Sequence, residues 1–220
     1  MNILQQTWAL IKKDARIEWR KRQAIGGILL YVLSTTFVVY SIVGEKTSGV
    51  VWAALYWIIV LFASVNAVAK SFVQENQERQ LYYYSLLQPA ALILSKIFYN
   101  TLLLFVVCLL SYGSFSLIMD NPIRFQGLFF LLMFLGSLGF SIAFSFVAAI
   151  AAKAQQAATL MAILSFPIVI PILMTLLRLS KIALGLMTDT MYYKDIFILL
   201  AIDLILGSIV LLLFPFLWRD

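Results

Sequence analysis

Apolar residues run through this chain in long unbroken blocks, and the polar residues gather between them. Six blocks, at 24–43, 50–69, 97–119, 127–150, 157–177 and 196–218, are each long enough to cross about 30 Å of hydrocarbon as a helix rising about 1.5 Å per residue. Of the 16 basic and 10 acidic residues, only Asp203 falls inside a block. Helices of a soluble bundle each need a polar face, and barrel strands alternate with a period of two. Neither pattern is present, so the blocks predict an all-α polytopic membrane protein with six transmembrane helices in a single domain over 1–220. Composition agrees: 63% of residues are hydrophobic and 12% charged, against about 45–50% and 25% in soluble domains.

The polar connections set a direction. Lys12, Lys13, Arg16, Arg20, Lys21, Arg22, Lys70, Arg79, Lys96, Lys153 and Arg219 fall on one side of the six spans, while Lys46, Arg124, Arg178, Lys181 and Lys194 fall on the other. The excess of basic residues on the first side predicts that both termini are cytoplasmic. The leader is long and charged, and no small-residue cleavage signal follows the first block, so the first span is expected to remain as an anchor.

The first 23 residues carry a second periodicity. Leu4, Trp8, Ile11, Ala15 and Trp19 recur at helical spacing on one face, with Lys13, Arg16 and Arg20 roughly opposite. That is the pattern of a helix lying in the membrane interface, apolar side in lipid and basic side towards headgroups. It would act either as a surface anchor or as an elbow that braces the first span and meets a cytoplasmic partner. Gly26 and Gly27 mark the expected bend into that span. Trp8, Arg16, Trp19 and Arg20 are its candidate contact residues.

The connection after the second block is unusually polar. Gln74, Glu75, Asn76, Gln77, Glu78, Arg79 and Gln80 precede Leu81, Tyr82, Tyr83 and Tyr84, and Pro89 follows as a stop signal. The helix formers predict a short cytoplasmic helix with a polar and an aromatic face. Two roles stand for it: a solvated loop with interfacial tyrosines, or a docking element for another protein. The connection at 178–195 mixes charges with Tyr192 and Tyr193 and reads as an interfacial connector with an aromatic belt, or as a substrate or partner contact. Asp120, Asn121 and Pro122 predict a tight bend between the third and fourth spans.

Three intramembrane features change the picture further. A carboxylate at Asp203 costs on the order of 2.5–3.5 kcal/mol in a span, so it should face the bundle interior, hydrogen-bonded to a neighbouring helix or serving the conformational cycle. Pro167 and Pro171, four residues apart, each remove a backbone donor from the fifth span and predict a kink or hinge. Ser137, Ser141, Ser145, Ala148 and Ala152, beside Gly136 and Gly139, form a small-residue stripe that suits close helix packing.

Candidate chemistry is thin. The chain holds no histidine and a single cysteine, Cys108. An internal disulfide, histidine catalysis and histidine metal ligation are excluded. There is no phosphate-binding G-x-x-x-x-G-K-[ST] loop, no H-E-x-x-H, no G-x-S-x-G and no Cys/His metal spacing. An internal repeat of 20–50 residues, which would point to an inverted-repeat transporter, is not evident. No catalytic role and no metal site are expected.

A basic amphipathic leader, six spans, a polar segment after the second and a proline-bent fifth span resemble the plan of ABC-2-type exporter permeases. The stretch from Leu160 through Ile163, Leu164, Pro167, Ile170 and Pro171 to Leu173 is similar to the L-x-x-I-L-x-x-P-x-x-I-P-x-L signature of the haem exporter protein B family, the CcmB permease of cytochrome c maturation. Phe72 through Leu81, Leu86 and Leu87 to Leu94 and Lys96 resembles that family's coupling segment, although Glu78-Arg79-Gln80-Leu81-Tyr82 lacks its glycine and its second acid. The resemblance implies an inner-membrane permease subunit without an ATPase of its own. It would be coupled through Gln74, Glu75, Glu78, Arg79, Leu81, Tyr82, Tyr83 and Tyr84 to a separate cytoplasmic ATPase that holds the ATP. It also implies a haem-handling membrane subunit, release of a haem-loaded chaperone, and paired permeases or a homodimer. With no histidine, haem is expected as cargo ligated chiefly by a partner, because only methionine, tyrosine or Cys108 could serve here. An ABC-2-type permease for another substrate, such as a lipid-linked sugar or a drug, and a non-transporting assembly scaffold are the rival readings.

Overall fold

The computed structural model describes residues 3–20, 22–44, 47–73, 88–151, 157–187 and 192–219. Seven helices lie among them: α1 (Ile3–Arg20), α2 (Arg22–Val43), α3 (Gly49–Val73), α4 (Pro89–Ile118), α5 (Gln126–Ala151), α6 (Ala157–Ala183) and α7 (Tyr192–Arg219). Six of them, α2 to α7, are long and apolar enough to cross a membrane. Six crossings return the chain to the side it left, so α1 and the end of α7 share one face of the bundle, called here the terminal face.

The six spans stand where the hydropathy places them, but several ends move. The third span begins at Pro89 rather than 97, adding more than two helical turns at the terminal face. Pro89 occupies the first turn of α4, where its missing N–H costs nothing and its fixed φ suits the helix, behind an extended N-cap at Gln88; the segment it is expected to close lies outside the described residues. α6 runs on to Ala183 and α7 starts at Tyr192, so the connector expected at 178–195 contracts to 184–191. Arg178, Lys181, Lys194 and Asp195 thus sit on helices, and Asp203 is not alone among charges within the long apolar helices. α2 already runs from Arg22, so Gly26 and Gly27 lie inside its first turns rather than at a bend.

α5 is the central helix, packing on α3, α4, α6 and α7. Its small-residue stripe explains why. A Cβ on Gly136 would meet Trp57 and Leu176 at 3.0 Å, so α3 and α6 close on it without room for a methyl group. Ser137, Ser141, Ser145 and Ala148 are buried in the same seam, and Ala152 lies outside the described residues. Around the seam Trp52, Tyr56 and Trp57 of α3 meet Phe115, Phe129 and Phe140 edge-on or tilted, at centroid separations of 5.2–6.4 Å, while Trp52 stacks on Tyr56 at 5.6 Å. Aromatic rings prefer such offset and edge arrangements. Trp57 donates its indole N–H to Ser180 Oγ at 2.8 Å, and Tyr56 donates its hydroxyl to the Cys108 carbonyl at 3.1 Å, joining α3 to α6 and α4. By contrast α2 and α7 are the most exposed spans.

Candidate functional site

The terminal face is organised around the start of α4. There α1 lies across α4 and touches α2 only lightly, so it braces the third span rather than the first. The expected apolar stripe is not the packed face: Leu4, Trp8 and Ala15 are exposed, as a lipid-facing side requires, and Arg16 is exposed as well. Lys12 sits 5.5 Å above the Trp8 ring, a cation–π contact on the outer side. The side chains of Trp19 and Arg20 lie outside the described ones. Packing falls to a third face, Thr7, Leu10 and Asp14, whose steps of three and four place them in line along one side of the helix.

Three polar contacts fasten α1 to α4 and to the residue before it. Lys96 Nζ lies 3.1 Å from Asp14 Oδ2, with the two side chains only 5% and 10% exposed, and Lys13 reaches the other Asp14 oxygen at 3.1 Å. Thr7 Oγ1, which donates to the Ile3 carbonyl at 2.9 Å, also lies 3.4 Å from the Ala91 carbonyl. The Gln88 N–H donates to Gln6 Oε1, also at 3.4 Å. An ion pair so enclosed is costly to break from one side, because the surviving charge stays buried. Gln88, the last residue of the 70–88 connection, is thereby tied to α1. Asp14 escaped the sequence reading; its place at helical spacing from Thr7 and Leu10 was the signal. The expected coupling residues Gln74, Glu75, Glu78, Arg79, Leu81, Tyr82, Tyr83 and Tyr84 all lie outside the described residues.

Inside the bundle, α4 and α5 exchange side-chain bonds. Ser141 Oγ donates to the Ile97 carbonyl at 2.7 Å and Asn100 Nδ2 to Ser145 Oγ at 2.8 Å. The serine stripe is therefore a hydrogen-bonding seam as well as a steric one, and Asn100 is a partner the sequence reading missed. Asp203 lies deeper than expected: eleven residues past Tyr192, about 17 Å along α7. It is buried and points at Gly139, where a Cβ would collide with its Oδ1. Neither Asp203 oxygen has a hydrogen-bond partner among the described residues, so the expected bond to a neighbouring helix is not formed there.

Pro167 and Pro171 both lie within α6, which continues past them, and both face outward beside exposed Ile163, Phe166, Ile170 and Met174. A cavity of about 250 Å³ opens next to them, between Phe62 and Asn66 of α3 and Ser165, Phe166 and Val169 of α6. Thr175 and Ser165 donate back to the carbonyls of Pro171 and Met161, at 2.9 and 2.6 Å. Cys108 is fully buried in the aromatic core. Among the described residues no cluster of three or more metal-ligating side chains occurs.

A bundle of six spanning helices, packed through a small-residue seam and carrying an amphipathic helix strapped to one end, has the architecture of a polytopic membrane subunit of the permease class. A search of curated proteins gives no match. The chain belongs to the CcmB family: the family described as CcmB protein matches residues 5–217, nearly its whole length. That bears out the resemblance read from the Leu160–Leu173 stretch. Members of the family are transporter membrane subunits rather than catalytic enzymes, and the family is a permease component of haem export in cytochrome c maturation.

Proposed function

We infer that this protein is the membrane half of an ATP-driven machine for haem delivery, lying in the bacterial inner membrane with its terminal face in the cytoplasm. A separate ABC ATPase pushes on residues 74–84 and on α1, and the bundle converts that push into release of a haem-loaded chaperone on the other side. The observation that carries this reading is the fastening of α1 to the start of α4. α1 is held where Gln88, Ala91 and Lys96 meet Gln6, Thr7 and Asp14, and residues 74–84 precede α4 in the sequence. Force on either is delivered to α4, and from α4 through the Ser141 and Asn100 bonds to the central helix. Coupling of this kind needs two states that differ in partner contacts. Haem is cargo, ligated chiefly by a haem-handling membrane subunit, and a pair of permeases serves the two ATPase copies.

The test replaces Glu75, Glu78 and Arg79 together with alanine in the intact complex. Association of the ATPase subunit and cytochrome c maturation are then measured. Both are expected to fall severalfold or more; unchanged association with unchanged maturation contradicts the reading.

A further inference from the structure

The face opposite the termini holds a second feature, built by the ends of three helices. α6 closes there in a Schellman turn: Leu186 N–H donates to the Lys181 carbonyl at 3.0 Å and Gly185 N–H to the Ile182 carbonyl at 2.9 Å. Gly185 takes the left-handed φ of +70° that this motif demands. The connection between α4 and α5 is stitched onto the same turn, because the Arg124 and Phe125 N–H groups donate to the Ala183 carbonyl at 3.1 and 2.9 Å. A Cβ on Gly185 would come within 2.5 Å of Arg124 Cδ. The glycine thus forms a flat floor over which the arginine stem is laid.

That arrangement holds Arg124 at a cavity of about 710 Å³, walled by Leu128, Leu131 and Met187 and closed at one side by Tyr192 and Tyr193. Ligand pockets run from about 300 to 1,000 Å³, largely apolar with a few fixed polar groups. The nearby Arg178 is engaged with Asp195 at 2.9 Å, but among the described residues no carboxylate comes within ion-pair distance of Arg124. The tyrosine rings stack with centroids 4.1 Å apart, and the Tyr192 hydroxyl donates to the Tyr193 oxygen at 2.6 Å. Tyr193 therefore keeps its own proton to donate outward. A cation and a hydroxyl donor stand beside an apolar chamber.

We propose that this cavity binds an acidic amphiphile: Arg124 and Tyr193 take a phosphate or carboxylate, and the Leu128, Leu131 and Met187 walls take its apolar body. Two sources present that chemistry, an anionic phospholipid of the surrounding leaflet and haem, whose propionates flank an apolar ring. Binding through acid groups requires no axial ligand, so a chain without histidine can do it. The haem source rests on the function inferred above. The phospholipid source does not.

The test uses the full chain purified in zwitterionic detergent, with two probes. Native mass spectrometry reads retention of phosphatidylglycerol against phosphatidylethanolamine, and an absorbance titration reads haem. The wild type is expected to prefer at least one acidic probe, with about tenfold weaker binding in Arg124→Gln, as loss of a charge-assisted hydrogen bond implies. Arg124→Lys restores most of it, and Leu131→Trp lowers it by filling the chamber without touching the charge. Tyr193→Phe removes one hydroxyl from an exposed side chain, keeps the fold intact, and weakens binding severalfold. Arg124-dependent binding of phosphatidylglycerol alone identifies a lipid site and leaves the haem-delivery reading untouched. Arg124-dependent binding of haem alone, or competition between the probes, identifies a cargo site. Binding of neither probe, or equal binding by the wild type, Tyr193→Phe and Leu131→Trp, overturns the proposal.

Discussion

Asp203 and Gly139 show how one residue sets what its neighbour can be. The carboxylate lies against the α5 backbone in space that any side chain at 139 would occupy, so the glycine is required by the acid above it. Gly139→Ala is expected to destabilise the bundle by about 1–3 kcal/mol, the usual cost of overpacking. Combining it with Asp203→Ala should recover most of that loss, as thermal unfolding in detergent would reveal. An additive double variant would mean that the two positions do not meet. The sequence disclosed Asp203 as an anomaly, since a lone acid in an apolar run is costly wherever it points. It did not disclose Gly139 as its counterpart, because glycine in a membrane helix signals close approach without naming what approaches.

Among the elements, α1 and α6 carry the testable claims. The Asp14–Lys96 pair fixes α1 to α4 in an enclosed setting. Asp14→Ala and Lys96→Met should therefore each loosen α1, and together loosen it by less than the sum of the two, because both remove the same contact. Protease cleavage within residues 3–20 measures this, with an expected coupling of about 1–3 kcal/mol; additive effects of the two changes would contradict it. In α6, Pro167 and Pro171 each withhold a backbone bond. Pro171→Ala should raise the melting temperature while slowing chaperone release, if the bend moves in the cycle. A faster or unchanged rate assigns the proline to a fixed kink. The amphipathic character of α1 was plain in its 3.6-residue pattern, but its docking was not. Leu4, Trp8 and Ala15 dominate that pattern and face outward, whereas the seam that docks is polar and short. The span ends were misread for a related reason: Lys96 and Arg178 read as boundaries of hydrocarbon, yet each is held within a helix by a carboxylate on another element.

At the scale of the whole molecule, six spans and their order were legible because lipid imposes continuous apolar runs of fixed length, and the family was legible in the Leu160–Leu173 stretch. The serine and glycine seam of α5 could be read as a packing surface. Its partners, Asn100 and Ile97 on one side and Trp57 and Leu176 on another, depend on three-dimensional neighbours that no periodicity specifies. The bundle that results has a terminal face where α1 and the start of α4 are fastened together, and a far face where Arg124 stands over a chamber. Energy supplied at the first is proposed to do work at the second.

The most direct test reconstitutes the complete complex in phospholipid vesicles and follows release of haem-loaded chaperone with and without ATP, comparing wild type with Asp14→Ala. Release is expected only with ATP and the ATPase subunit present, and Asp14→Ala should slow it at least severalfold while ATP hydrolysis continues. Release by this protein alone, without nucleotide or companion subunits, would contradict the account.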